Sequence, residues 1–131
     1  MNLASRLEGA TRQLGVGILT TAESAGSFAR PGVTLRPLGD VIVKGRKAAS
    51  SLVEVLALNG EDGGAMRARS APSLERALEA FARGAYQAAA SDLRTVVDQN
   101  PSDGPALRYL MECELRLADA IHAGPLRLES K

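Results

Sequence analysis

Asn2 and Arg6 stand four residues apart near the start of the chain. On a helix that spacing projects both side chains from one face, about 6 Å apart, so an amide and a guanidinium can reach one ligand together. A fixed guanidinium suits an anionic group on which charge grows during a reaction, and neither residue is a base. The same stretch also reads as an ordinary amphipathic helix. Leu3, Leu7, Ala10 and Leu14 fall on one apolar stripe, with Arg6, Glu8, Arg12 and Gln13 largely off it. Lys44, next to Gly45, reads as a solvated lysine guarding a strand edge. The other titratable groups offer less. Asp40, Asp62, Asp92, Asp98, Asp103 and Asp119 fall on separate predicted turns and helices with no two-metal spacing. His122 has no neighbouring Cys or second His with which to hold a metal. Cys113 is the only cysteine, which excludes an intramolecular disulfide, and it reads as buried filler in a helix.

Those residues need elements to position them. After the first helix, Gly15 to Glu23 reads as a short strand following a glycine stop. Leu35 to Gly45 then reads as a hairpin arm, and Val53-Glu54-Val55-Leu56 as the last strand. Met1 to Gly9 resembles the catalytic helix of class III nucleotidyl cyclases, whose Asn and Arg match Asn2 and Arg6. The run Leu35-Arg36-Pro37-Leu38-Gly39-Asp40-Val41-Ile42-Val43-Lys44-Gly45 is similar to that family's closing Leu-Gly-x-Val-x-Val-Lys-Gly segment. The basic link Arg46-Lys47-Ala48-Ala49-Ser50-Ser51 departs from the short acidic or Pro-containing link of the family.

The resemblance covers residues 1–58 and implies the C-terminal part of a cyclase catalytic domain, an incomplete ferredoxin-like half made of helix, strand, hairpin and strand. It implies a phosphorus–oxygen lyase turning ATP into cyclic AMP and pyrophosphate for signal transduction. In that role Arg6 stabilises the pentacoordinate phosphorus, Asn2 holds the ribose and orients its hydroxyl, and Lys44 contacts the triphosphate. The family's Mg or Mn aspartates and its base-reading Lys lie upstream of the Asn/Arg helix and are not among these residues. The isolated chain is therefore expected to be inactive, and only marginally stable over 1–58. ATP rather than GTP is taken from family frequency. Because family sites form between two protomers, a homodimer or a complementing cyclase chain is the implied partner.

Composition narrows the field. With 16 Lys and Arg against 15 Asp and Glu the net charge is +1, which makes no electrostatic case for nucleic acid or an anionic membrane. No apolar run reaches the roughly 18 residues that span a bilayer, and the N-terminus lacks a signal-peptide pattern. With its lone cysteine, the chain reads as cytoplasmic.

Asn59-Gly60-Glu61-Asp62-Gly63-Gly64-Ala65 concentrates turn formers, so 59–71 reads as a flexible linker between a strand-bearing half and a half of helices alone. This ordering points to an α+β class. Helices are predicted over 73–83, 86–98 and 105–120, within a module 72–122, followed by a tail 123–131. Gly84, Tyr86, Ala89, Leu93, Val96 and Pro101 resemble the spacing of a tetratricopeptide repeat. One repeat and a half is too few for a free solenoid, so the module reads as a helical cap packed on something else. The ending Leu128-Glu129-Ser130-Lys131 is similar to C-terminal extensions of some bacterial class III cyclases. The alternative function is a protein-interaction scaffold, with Arg76, Arg83 and Arg94 lining its surface or simply forming a solvated face.

Overall fold

The computed structural model describes residues 9–11, 14, 16, 18–57, 64–119 and 123–128. Ala10 and Leu14 of the expected apolar stripe are helical and buried. The strands β1 (Leu19–Thr21), β2 (Val33–Ile42), β3 (Ser50–Ala57) and β4 (Leu126–Arg127) form one sheet in the order β1-β3-β2-β4. β3 runs antiparallel to both β1 and β2, while β4 lies parallel to β2 and pairs Val41 with Leu126.

β2 and β3 form because Val, Leu and Ile suit a pleated, half-buried surface. A bulge then resets their alternation. Pro37 pairs with Val53 and Gly39 with Leu52, which leaves Leu38 as the extra residue. Before it, Arg36 and Leu38 point inward; after it, Val41 and Val43 do, and Asp40 is turned out to solvent. The bulge also explains how a proline fits inside a strand, since it has no N–H to offer the ladder.

The helices are α1 (Gly64–Arg69), α2 (Ala71–Ala82), α3 (Tyr86–Gln99) and α4 (Gly104–Ala118). α2 buries Leu74, Ala77, Leu78 and Phe81 at helical spacing. It ends on Gly84 at φ 81°, where the Ala85 amide donates to the Ala80 carbonyl at 2.9 Å and the Gly84 amide to Phe81 at 3.0 Å. These are the two bonds of a Schellman stop. α4 begins on Asp103, whose carboxylate accepts from the Ala106 amide at 3.3 Å.

Two stretches differ from their sequence reading. Within 59–71 lies α1, followed after Ser70 by the start of α2, because Arg67 and Ser70 are tied to polar groups of the sheet and the α4 start. The half expected to hold helices alone also returns a strand, β4. Two residues show no readable period, but Leu126 and Leu128 are both buried, and the Leu128 amide donates to the Ile42 carbonyl at 2.8 Å. Leu38, Val41, Val43 and Leu52 of the sheet share one apolar cluster with Leu74, Phe81, Leu93, Val96, Tyr109 and Cys113 of the helices. The Tyr109 hydroxyl crosses the same boundary, donating to the Leu38 carbonyl at 2.7 Å.

Candidate functional site

Asn2 and Arg6 lie outside the described residues, as do Asp62 and His122. Lys44 is described. It sits in the exposed turn that ends β2, where the Arg46 amide donates to the Val43 carbonyl at 3.1 Å and Gly45 takes φ 87°. Lys44, Arg46 and Lys47 are all exposed there, so this corner of the sheet is basic.

A cleft of about 420 Å³ opens elsewhere, between the bulged part of β2 and α2. Pro37, Gly39 and Asp40 form one wall. Glu75, Leu78, Glu79 and Ala82, on successive turns of α2, form the other, with Tyr109 and Phe81 below. Its charged lining residues are all carboxylates, and one of them, Asp40, accepts a hydrogen bond from Ser51. An apolar floor under an acidic rim repels a triphosphate. The basic corner at Lys44 has the sign that a triphosphate requires. Among the described residues, no three His, Cys, Asp or Glu side chains are placed together to hold a metal ion.

Two clusters escaped sequence reasoning. Arg36 is wholly buried, although an arginine in a strand ordinarily reads as an exposed residue. It donates to Glu54 at 3.0 Å and with two nitrogens to Asp103, and at 3.4 Å to Ser70. Glu54 accepts a further bond from Arg67. Glu54 is the direct cross-strand partner of Arg36, which is the one signal that the sequence carried. Two guanidiniums and two carboxylates thus neutralise one another where the sheet meets α1 and the start of α4. With no solvent-accessible surface at Arg36, the cluster ties the sheet to α1 and the start of α4.

Arg116 forms the second cluster. It donates to Glu112 at 2.8 Å, to the Tyr86 hydroxyl at 2.9 Å and to the carbonyls of Gly124 and Pro125 at 2.8 and 3.3 Å, and its guanidinium lies 4.6 Å from the Phe81 ring centre. Partial burial works to raise the Glu112 carboxyl, but the bonds and charges of Arg116 and Arg108 outweigh it and hold the group below its ordinary value. Arg108 adds a bond to the Arg127 carbonyl at 3.3 Å. These two arginines seat the 123–128 segment and so complete β4.

Arg76 pairs with Asp92 at 3.5 Å and Arg94 with Glu114 at 3.8 Å; Arg83 caps the end of α2, and all three are exposed. None of them lines the cleft. No described helix is long and apolar enough to cross a membrane.

No protein-family model matches the chain, and no solved structure matches it. The chain is similar to the terminal-differentiation-specific adenylate cyclase of Dictyostelium discoideum, with 28% identity over 116 residues, which is 86% of this chain and 5% of that protein. It therefore spans a small part of the cyclase that it matches. Residues 1–58 supply at most half of those 116 aligned residues, so the similarity runs on through much of the helical half. It supports a relationship to a cyclase.

Proposed function

We propose that this chain is the C-terminal part of an adenylate cyclase catalytic domain together with its helical extension. The observation that carries the reading is the similarity to a cyclase across 86% of the chain, which takes in both halves. The shared core and the Arg36 cluster are consistent with it, since a stretch inherited together is expected to pack together. In this reading the sheet is the peripheral part of a ferredoxin-like domain, and α2 to α4 are a tetratricopeptide-like cap.

Arg6 would stabilise the charge that develops on the α-phosphate of ATP, Asn2 would orient the ribose hydroxyl, and Lys44 would draw the triphosphate to the basic corner. Residues that hold the Mg or Mn ions and read the base would come from another part of the domain or from a partner protomer. Without them, several kcal/mol of transition-state stabilisation are missing, so residues 1–131 alone make no cyclic AMP.

The test is complementation. The purified chain is mixed with a cyclase whose own helix arginine is replaced, and cyclic AMP is measured with ATP and Mg or Mn. Activity is expected with the native chain and should drop by roughly 100-fold with Arg6→Ala. Cyclic AMP from the isolated chain, or restoration that Arg6→Ala leaves untouched, overturns the reading.

A further inference from the structure

Three carboxylates rim the cleft between β2 and α2. Asp40 stands on the β2 wall, turned out by the bulge, and Glu75 and Glu79 stand one turn apart on the α2 wall. Among the described residues none of the three is ion-paired, whereas Asp92, Glu112 and Glu114 on the neighbouring helices each face an arginine. Like charges four apart on a helix repel each other, so Glu75 and Glu79 weaken α2 until a cation lies between them. Ser51 donates to Oδ1 of Asp40, which steadies that carboxylate and leaves Oδ2 able to accept from a ligand.

The floor is of the opposite kind. Leu78, Phe81 and Tyr109 are 9%, 6% and 1% exposed, so the base of the cleft is packed and formed in advance. The Tyr109 hydroxyl spends its proton on the Leu38 carbonyl, and its oxygen keeps a lone pair. A Cβ on Gly39 would stand 2.8 Å from that oxygen, so the glycine keeps the space beside it open. Gly124 and Pro125 complete the lining, their carbonyls held by Arg116 at 2.8 and 3.3 Å. Arg116 is itself buried and bonded to Glu112, so it brings no cation to the cleft surface.

This combination selects a class of ligand. A bare metal ion is a poor match, because no three of the described acidic side chains converge to hold one and an apolar floor gives it nothing. A neutral apolar molecule satisfies the floor and leaves the rim unmatched, and an anion is repelled. We propose, independently of the cyclase reading, that the cleft binds a small organic cation, with an ammonium group among Asp40, Glu75 and Glu79 and a ring-bearing body lying on Leu78, Phe81 and Tyr109. The volume of about 420 Å³ falls in the range of small-ligand sites, roughly 300–1,000 Å³. Bounded by three separate segments, the cleft suits a compact ligand rather than a long extended one.

Three compounds sharing one ring separate the contributions: tryptamine is a cation, tryptophol is neutral and indole-3-acetate is an anion. Each is titrated into the isotope-labelled full chain at neutral pH, and backbone amide shifts are followed by NMR. Tryptamine should bind with a Kd of about 0.1–1 mM, tryptophol about tenfold more weakly, and indole-3-acetate not at all up to roughly 10 mM. The shifts should centre on Gly39, Asp40, Glu79 and Gly124. Glu75→Gln combined with Glu79→Gln, both at exposed positions, should weaken tryptamine about fivefold or more and leave tryptophol unchanged. Absent binding, equal binding of the three compounds, shifts outside the cleft, or a double variant that holds tryptamine as before would each overturn the proposal. So would tighter binding of acetyl-alanyl-lysyl-alanine amide than of tryptamine, which would assign the cleft to a protein segment instead.

Discussion

A guanidinium with no exposed surface has to be matched on several sides, and Arg36 is matched on all but its Nε. Desolvating such ions costs several kcal/mol each, which good geometry roughly offsets and a missing partner does not. Cys113 shows burial acting on a group without that compensation: burial pushes its thiol up to about 11, the nearby Arg116 charge opposing and Glu112 and Glu114 assisting. The folded chain therefore holds this proton more tightly than the unfolded chain, where a thiol titrates near 8.5. The stability from this group is complete below that value and is lost as pH rises towards 11, by about 1.4 kcal/mol per unit. Urea titrations across that window should show the loss, and Cys113→Ala should make it shallower. An equally steep loss in the variant would assign it elsewhere, with Tyr109 the first candidate because burial raises its hydroxyl too. The burial of Cys113 was legible, since a lone cysteine in an apolar helix stripe has little else to do. The burial of Arg36 was not, because Asp103, its partner 67 positions away, cannot be seen from either residue's neighbourhood.

The elements were legible where a period or a stop signal repeats. α2 and α3 announce themselves through apolar spacing and the Gly84 stop, and β2 and β3 through their β-branched runs. α1 and β4 lack any such signal, since both are held by arginine bonds formed only after the chain has folded. The bulge in β2 lies between these cases. Gly39 takes φ 84°, and a Cβ placed there would stand 2.8 Å from the Tyr109 hydroxyl oxygen. Gly84 has a similar φ of 81° with nothing within 4 Å. Gly84→Ala should therefore cost only the backbone strain, about 1 kcal/mol, whereas Gly39→Ala should cost about 2–3 kcal/mol by also displacing the Tyr109 bond. Urea midpoints for the two variants test this, and equal losses would mean that Tyr109 gives way freely.

At the scale of the molecule, the apolar cluster crosses from sheet to helices without a break. The sequence reading expects residues 1–58 to be only marginally stable; the structure lays α2 against β2 and α1 against β3, with α3 packed on α2 and α4 on α3. One cooperative unfolding transition is therefore expected for the whole chain. Arg36→Met, which leaves Asp103 buried without its cation, should lower stability by about 3–5 kcal/mol. It should shift probes in the sheet and in the helices by the same amount. Two separate transitions, or a shift confined to one half, would show the halves to be independent. The covering of the sheet had no local sign in the chain, because the helices' apolar stripes do not say what they face. The pairing of Val41 with Leu126 has a consequence for synthesis on the ribosome. Once β3 is made, the core-facing Leu38, Val41, Val43 and Leu52 stay uncovered until α2 follows, and the Val41 edge has no β4 beside it until about 70 further residues have been translated. The nascent chain thus carries an adhesive strand edge over that interval, and shielding by a chaperone would matter then more than after β4 has docked.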